Sequence, residues 1–418
     1  MNTRRVVITG IGAVTPIGND IREFWQSVQA GRCGIAPITL YDAAEQKAKL
    51  AGEVKNFEPQ KRIDKQELRK MDRCTQFAVV AAQEAFAMSG LAMEREDPYR
   101  CGVLVSSGIG GLATIENECL KGDQKGFDRV SPYFIPMVIT NMSAGHIAIR
   151  HGFQGMCSCV VTACASGTNA IGDAMRHIRD GYADVMLCGG AEASITRLGM
   201  GGFTSLKALS VSEDPARASI PFDKERSGFV MGEGAGMLVL EELEHAKARG
   251  ANIIAEVAGY GSTCDAHHIT APCEDGEGAA QAMRQAISDA GVAPHDISYI
   301  NAHGTSTPLN DSGETKAVKA AFGEHAAKLA ISSTKSMTGH LLGASGAIEG
   351  IVTALAVQTG FAPPTINYKV PDEACDLDIV PNVGRSLSME YAMSNSLGFG
   401  GHNASIVLKR FREKSPWN

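Results

Sequence analysis

The sequence predicts an α/β protein made of two similar halves. Three observations carry this. Short β-branched runs alternate with Ala-rich stretches of helical spacing, those runs are apolar nearly throughout, and their order along residues 1–254 recurs along 255–412. Unbroken apolar runs are the mark of strands covered on both faces, so the alternation points to a mostly parallel sheet with helices on either side.

Taken in order, residues 6–12 (VVITGIG), 99–111 (YRCGVLVSSGIGG), 157–167 (CSCVVTACASG) and 183–192 (ADVMLCGGAE) read as buried strands ending in glycine turns. Between them, residues 74–90 and 167–181 carry helical apolar spacing, and each closes on a glycine, which accepts the left-handed turn at a helix end. The repeat matches residues 6–15 with 255–263, 102–111 with 298–307, 159–167 with 328–339, and 235–244 with 404–413. Each match alone is weak, because buried strands resemble one another; four in one order define two halves of the same topology. No Pro/Ser-rich linker divides the chain, so the halves are expected to fold as one body.

Composition narrows the function. With 44% hydrophobic and 20% charged residues, 46 Gly and 16 Pro in 418, the chain is neither disordered, collagen-like nor a coiled coil. A formal net charge of −7 and 6% aromatics argue against nucleic-acid binding and leave room only for a local basic patch facing an acidic partner. The eleven cysteines are odd in number and form no CxxC pair, so neither a disulfide framework nor a zinc ribbon is expected. Most read as small core residues in a reducing compartment, with Cys157, Cys159 and Cys188 placed inside apolar strands. The N-terminus has no apolar signal region, and the apolar run at 347–361 contains Glu349 and is too short to cross a bilayer. A cytoplasmic protein with no membrane insertion is the expectation.

Four segments carry residues suited to chemistry. In residues 160–181 an apolar strand gives way to a helix just beyond Cys164; unpaired N–H groups and the positive helix end favour thiolate there, and Ala163, Ala165, Ser166 and Gly167 leave room for a substrate. In residues 300–318 a strand delivers His303 into a loop with Thr305, Thr307 and Asp311, whose polar groups suit a polar substrate arm; alone, this is also an ordinary Ser/Thr-rich turn. In residues 331–355, Lys335, His340 and Glu349 stand in a small, apolar stretch, and Lys335 with Glu349 is the natural buried pairing. In residues 395–409, Phe399 is flanked by Gly398, Gly400 and Gly401, which suits either a movable gate or a hairpin leading into the last strand. A phosphate loop is excluded there because the Walker Lys-Ser/Thr is missing, and the histidines lack HxH or HExxH spacing and acidic companions, so no metal is expected.

Together TACASGTNAIGDA, NAHGTSTPLND, STKSMTGHLLGASG and NSLGFGGHNA resemble the β-ketoacyl-[acyl-carrier-protein] synthases, and among them the elongating synthase II type of dissociated fatty acid synthesis. The resemblance runs from Val6 to about Arg410. It implies a thiolase-like, five-layered αβαβα fold of two pseudo-duplicated halves forming one ketosynthase domain, and a decarboxylating Claisen condensation. It implies Cys164 as the acylated nucleophile and His303 and His340 as the groups that hold the malonyl thioester and stabilise its enolate. The backbone N–H groups of Cys164 and Phe399 match the oxyanion hole, and Lys335 the lysine that orders the site through Glu349. Thr305 and Thr307 match contacts to a phosphopantetheine arm, Phe399 a gate, and Ile109 a residue of the acyl pocket.

The same resemblance implies an acidic acyl carrier protein as partner, bringing its own phosphopantetheine so that no resident cofactor is needed, and a homodimer. A basic docking patch is therefore expected in residues 61–73, with Lys65 and Arg69 four apart on one helical face, and with Arg129 and Lys207 at matching basic positions. Leu397 stands where an aromatic often precedes GFGG and His402 where Thr is frequent, which leaves the gate and chain-length preference open. A polyketide or synthase I-like ketosynthase differs by the acyl chains it loads. A non-condensing chain-length factor typically lacks the cysteine, and a cysteine hydrolase releases free fatty acid.

Overall fold

The computed structural model describes residues 4–412. Ten strands form one sheet: β1 (Val6–Val14), β2 (Cys101–Ser106), β3 (Cys157–Ser158), β4 (Val185–Glu192), β5 (Gly234–Glu242), β6 (Ala255–Cys264), β7 (Ile297–Asn301), β8 (Ala330–Ser332), β9 (Tyr391–Gly398) and β10 (His402–Arg410). Their order is β8-β7-β9-β10-β6-β1-β5-β4-β2-β3. Every strand of the first half has its counterpart five strands later, at the mirrored place in the sheet. The halves join where β1 pairs antiparallel with β6, Val6 opposite Val257 and Ile8 opposite Ala255.

Four helices organise the layers: α1 (Arg73–Ser89), α2 (Ser166–Arg179), α3 (Glu277–Ala290) and α4 (Ser345–Thr359). Helix α1 packs on β1, β5 and β4, and α3 packs on β6 and β10, so each covers the outside of one half. Helices α2 and α4 pack on each other and touch strands of both halves, which makes them the middle layer. The result is the αβαβα stack. It explains the composition of the middle helices: α4 is buried on every face from Ser345 to Val357, so an apolar run that ignores amphipathic spacing is what its position demands. Asp72 caps the start of α1 by accepting the Cys74 N–H, and Gly90 closes it at φ +67°.

Three expectations need correction. The sheet is mixed: β2 runs parallel to β3 and β4, and β7 to β8 and β9, but the inner pairs β1–β5, β4–β5, β9–β10, β6–β10 and β1–β6 are antiparallel. The reason is local for β9–β10, whose connection spans only residues 399–401, too few for the crossover that parallel neighbours require. Residues 157–167 are not a buried strand. Only Cys157 and Ser158 pair, at an exposed sheet edge, and the chain then leaves the sheet to reach the start of α2. Nor are most cysteines core residues, since five of the eleven are buried; Cys188 lies in β4 as expected, whereas Cys157 is exposed and Cys159 half-buried outside any strand.

Candidate active site

The position of Cys164 follows from one strained turn. Ala163 adopts φ +50°, a conformation that disfavours any side chain, and it lifts Cys164 out of the path of the backbone just before α2 begins at Ser166. Polar side chains hold the turn: Ser166 Oγ donates to the Ala163 carbonyl at 2.6 Å and accepts the Thr162 N–H at 2.8 Å, while Asn169 donates to Thr162 Oγ1 at 2.7 Å. The second half repeats the device. Leu342 adopts φ +47° immediately before α4, which puts Gly343 where the first half has Cys164.

Cys164 is 8% exposed and packs in an apolar cluster with Ile195, Met200, Phe229, Met231 and Leu342. That burial corrects the expected thiolate. Loss of water pushes the thiol up to about 12, against the opposing pull of the Lys335 ammonium and the Phe399 backbone N–H. At rest Cys164 is therefore a thiol.

His303 and His340 meet with ring centroids 5.3 Å apart and nearly perpendicular planes. Both are buried, and desolvation together with the nearby Lys335 holds each well below the ordinary imidazole range, so both rings are neutral. Ser345 Oγ accepts the Leu341 N–H and lies 2.8 Å from His340 Nδ1. The hydroxyl keeps its own proton free to donate to Nδ1, an arrangement that places the hydrogen of His340 on Nε2. The His303 backbone is fixed from two sides. Its N–H and that of Gly304 donate to the Glu314 carboxylate at 2.8 Å each, and its carbonyl accepts from Lys335 Nζ at 2.6 Å.

Lys335 is 1% exposed and forms a buried ion pair with Glu349, whose carboxyl burial lifts to about 7. The Lys335 charge bears on Cys164, His303 and His340 alike, and Phe229 joins them, packing in the Cys164 cluster with its ring 5.2 Å from His340.

The other wall is the β9–β10 hairpin. Gly398 permits close approach: a Cβ there would stand 3.1 Å from the Cys164 nitrogen and 2.7 Å from the Thr162 carbonyl. Gly400 and Gly401 turn the chain at φ +86° and +76°, so Phe399 is held at the tip of a tight turn with its N–H turned toward the sulfur. From the half-buried Phe399 an aromatic row runs inward, Phe203 at 6.3 Å, Phe229 at 5.5 Å from Phe203, and His340 at 5.2 Å from Phe229. Ile109 packs against the same apolar cluster as Cys164.

Thr305 and Thr307 bond to each other through their hydroxyls at 2.9 Å. Asp311 stays behind them, fully buried, accepting the N–H groups of Phe222 and Ser306 and so fixing the loop. His402 packs its ring on Gly400 of its own hairpin, and Leu397 packs in the core of the second half; neither joins the histidine pair. Lys65, Arg69, Arg129 and Lys207 are all exposed. The helix expected there is a single turn, Lys65–Leu68, with Arg69 as its C-cap, because Asp64 starts it and the chain turns away at once. Arg73 belongs to the interior instead, bonded to Glu233 and stacked on Phe77. Lys70 sits 5.2 Å over the Tyr133 ring, which brings this basic segment beside the stretch that carries Arg129.

Three residues at the site escaped the sequence reading. Ser345 and Glu314 act on the histidines, and Glu192 bonds to the N–H groups of Ile109 and Gly343. None has a spacing signal, because each reaches its partner through the fold.

Family models describe the same architecture in other proteins. The model "Beta-ketoacyl synthase, N-terminal domain" matches residues 3–246, and "Beta-ketoacyl synthase, C-terminal domain" matches residues 254–369. The chain is 52% identical over 413 residues to a protein of Synechocystis sp. named 3-oxoacyl-[acyl-carrier-protein] synthase 2, covering 99% of each. Among solved structures it superposes on the ishigamide ketosynthase/chain length factor with a TM-score of 0.93 at 37% identity, covering 98% of this chain and 100% of the other. A type II polyketide ketosynthase solved in complex with its acyl-carrier protein superposes with a TM-score of 0.91 at 37% identity and the same coverage.

Proposed function

This chain belongs to the β-ketoacyl synthase family, and from that premise we propose how its residues carry out the condensation and what it acts on. The substrates are an acyl chain and a malonyl unit, each delivered as a thioester of acyl carrier protein, and the product is the β-ketoacyl thioester of fatty acid elongation. The observation that carries this reading is the convergence of a buried thiol, a backbone N–H aimed at it, and two neutral imidazoles around one buried lysine.

In the first step the Cys164 sulfur attacks the acyl thioester; a new S–C bond forms, the pantetheine S–C bond breaks, and the thiol proton ends on the departing pantetheine sulfur. The N–H groups of Cys164 and Phe399 face the oxyanion of that step. In the second, malonyl thioester loses carbon dioxide, and the electron pair left behind is stabilised as an enolate. Two neutral N–H donors suit that oxygen, since a carboxylate in their place would repel it. His340, with its hydrogen on Nε2, is one such donor, and Lys335 supports the other through the His303 carbonyl. The enolate carbon then attacks the acyl-Cys carbonyl, and the released sulfur takes up one proton. Water kept out by Phe399 cannot hydrolyse the acyl-enzyme.

Thr305 and Thr307 bind the phosphopantetheine arm, and the exposed Lys65, Arg69, Arg129 and Lys207 receive the acidic carrier. The protein works as a cytoplasmic homodimer without a resident cofactor; the uncovered edge of β3 and the exposed Ile135, Ile139, Ile149 and Val161 favour a second copy. The test is to supply acyl- and malonyl-carrier protein together and analyse the products. Equal amounts of carbon dioxide and β-ketoacyl carrier protein are expected; free fatty acid in their place would identify a hydrolase.

A further inference from the structure

We propose that Glu192 is the positioning residue for the acyl end of the site, fixing Ile109 from one half of the molecule and Gly343 from the other. Glu192 is the last residue of β4 and is fully buried. Its Oε2 accepts the N–H of Gly108 at 2.8 Å and of Gly343 at 3.0 Å. Its Oε1 lies within reach of the Ile109 N–H at 3.3 Å and of the Ser107 and Ser194 hydroxyls at 3.1 and 3.2 Å. No lysine or arginine pairs with it among the described residues. A buried carboxyl without a cation is costly to charge, and burial raises it above the ordinary carboxylate range while this dense set of donors pulls it back.

The donors come from two loops, one from each half, which also touch directly where Ser106 Oγ donates to the Gly343 carbonyl at 3.4 Å. Residues 107–109 follow β2, and Gly343 lies in the turn before α4 that mirrors the Cys164 turn. Both glycines are required for the contact: a Cβ on Gly108 would stand 2.7 Å from Glu192 Oε2, and one on Gly343 2.2 Å from the Gly108 nitrogen. Next to these anchored backbones, Ile109 and Leu342 project into the apolar cluster that holds Cys164. One carboxylate thus sets the spacing of two side chains in the chamber beside the nucleophile. Lengthening or twisting either loop moves them toward the place an acyl chain occupies, which penalises long chains more than short ones.

The inference rests on the reading that Cys164 is acylated. Its test is Glu192→Gln, which keeps the volume but turns an NH2 toward groups that are themselves donors. The rate of Cys164 acylation by acyl carrier proteins of graded chain length is followed by mass spectrometry, with circular dichroism as the check on folding. The ratio of long-chain to short-chain rates should fall roughly tenfold, as expected for misplacement in a fitted site. An unchanged ratio, or an equal loss at every length, overturns the proposal. Should Glu192→Gln fail to fold, Ser107→Ala removes a single donor, and the same ratio must shift in the same direction. Wild-type protein that takes up no acyl group at any length refutes the underlying reading instead.

Discussion

At the scale of single residues the site works by burial rather than by charge. The end of α2 does point at Cys164, yet the sulfur sits among Phe229, Met231 and Leu342, and desolvation outweighs a partial charge that is effective only at its own helix terminus. Burial acts the same way on His303 and His340, and the outcome is a cluster of neutral groups beside one cation, Lys335. The pH dependence follows with a definite sign. A thiol raised to about 12 gains thiolate tenfold for each pH unit across the whole range from 7 to 10. Alkylation of Cys164 by iodoacetamide should climb log-linearly across that range; a plateau near neutral pH would mean that the sulfur rests as thiolate. Sequence reading found the thiol, the two histidines and the Lys335–Glu349 pair because residue type and local context announce them. It missed the resting state of the thiol because burial is a property of the fold.

At the scale of elements two turns matter most, the strained turn before α2 and the hairpin between β9 and β10. Both were legible: small residues around a cysteine where a strand gives way to a helix, and three glycines around one aromatic, each restrict what the backbone can do there. The hairpin supports a direct prediction. Gly401 turns at φ +76°, and a Cβ there would stand 2.9 Å from the Asp265 Cβ. Gly401→Ala should therefore cost about 1–2 kcal/mol from the left-handed backbone alone, and the hairpin must shift to relieve the contact. Because that shift draws the Phe399 N–H off the sulfur, Cys164 acylation should slow more than malonyl decarboxylation by the histidine pair. Equal slowing of both reactions would show that the hairpin does not serve the oxyanion. What the elements concealed were the tethers between them. Glu314 to His303, Ser345 to His340 and Glu192 to Gly343 span 11, 5 and 151 positions, with no common period.

At the scale of the whole molecule, duplication explains where the site lies. Two copies of one topology put two equivalent turns at the starts of α2 and α4; one carries Cys164, and the loop leading into the other carries His340. The repeat was visible in three of the five strand pairs, β1 with β6, β2 with β7 and β5 with β10, whereas the match of residues 159–167 with 328–339 begins beyond β3 and misses the turn at Leu342 and Gly343 that mirrors Cys164. The pair β4 with β9 was hidden because VMLCGGAE and YAMSNSLG share little beyond small residues. The mixed strand directions were hidden as well, since a buried apolar run reads the same whichever way its neighbour runs. On the surface, the short 65–68 helix leaves Lys65 and Arg69 free beside Lys70. Reversing both charges should raise KM for carrier-bound acyl groups roughly tenfold or more and leave small free thioesters almost unaffected; parallel loss on both would argue against a docking role. The central claim is that one sulfur carries the growing chain, and the most direct measurement is peptide mapping of the protein after incubation with acyl carrier protein. A single acyl group per chain is expected, on Cys164, abolished by Cys164→Ala. Acylation of any other side chain, or persistence of the adduct in that variant, would contradict it.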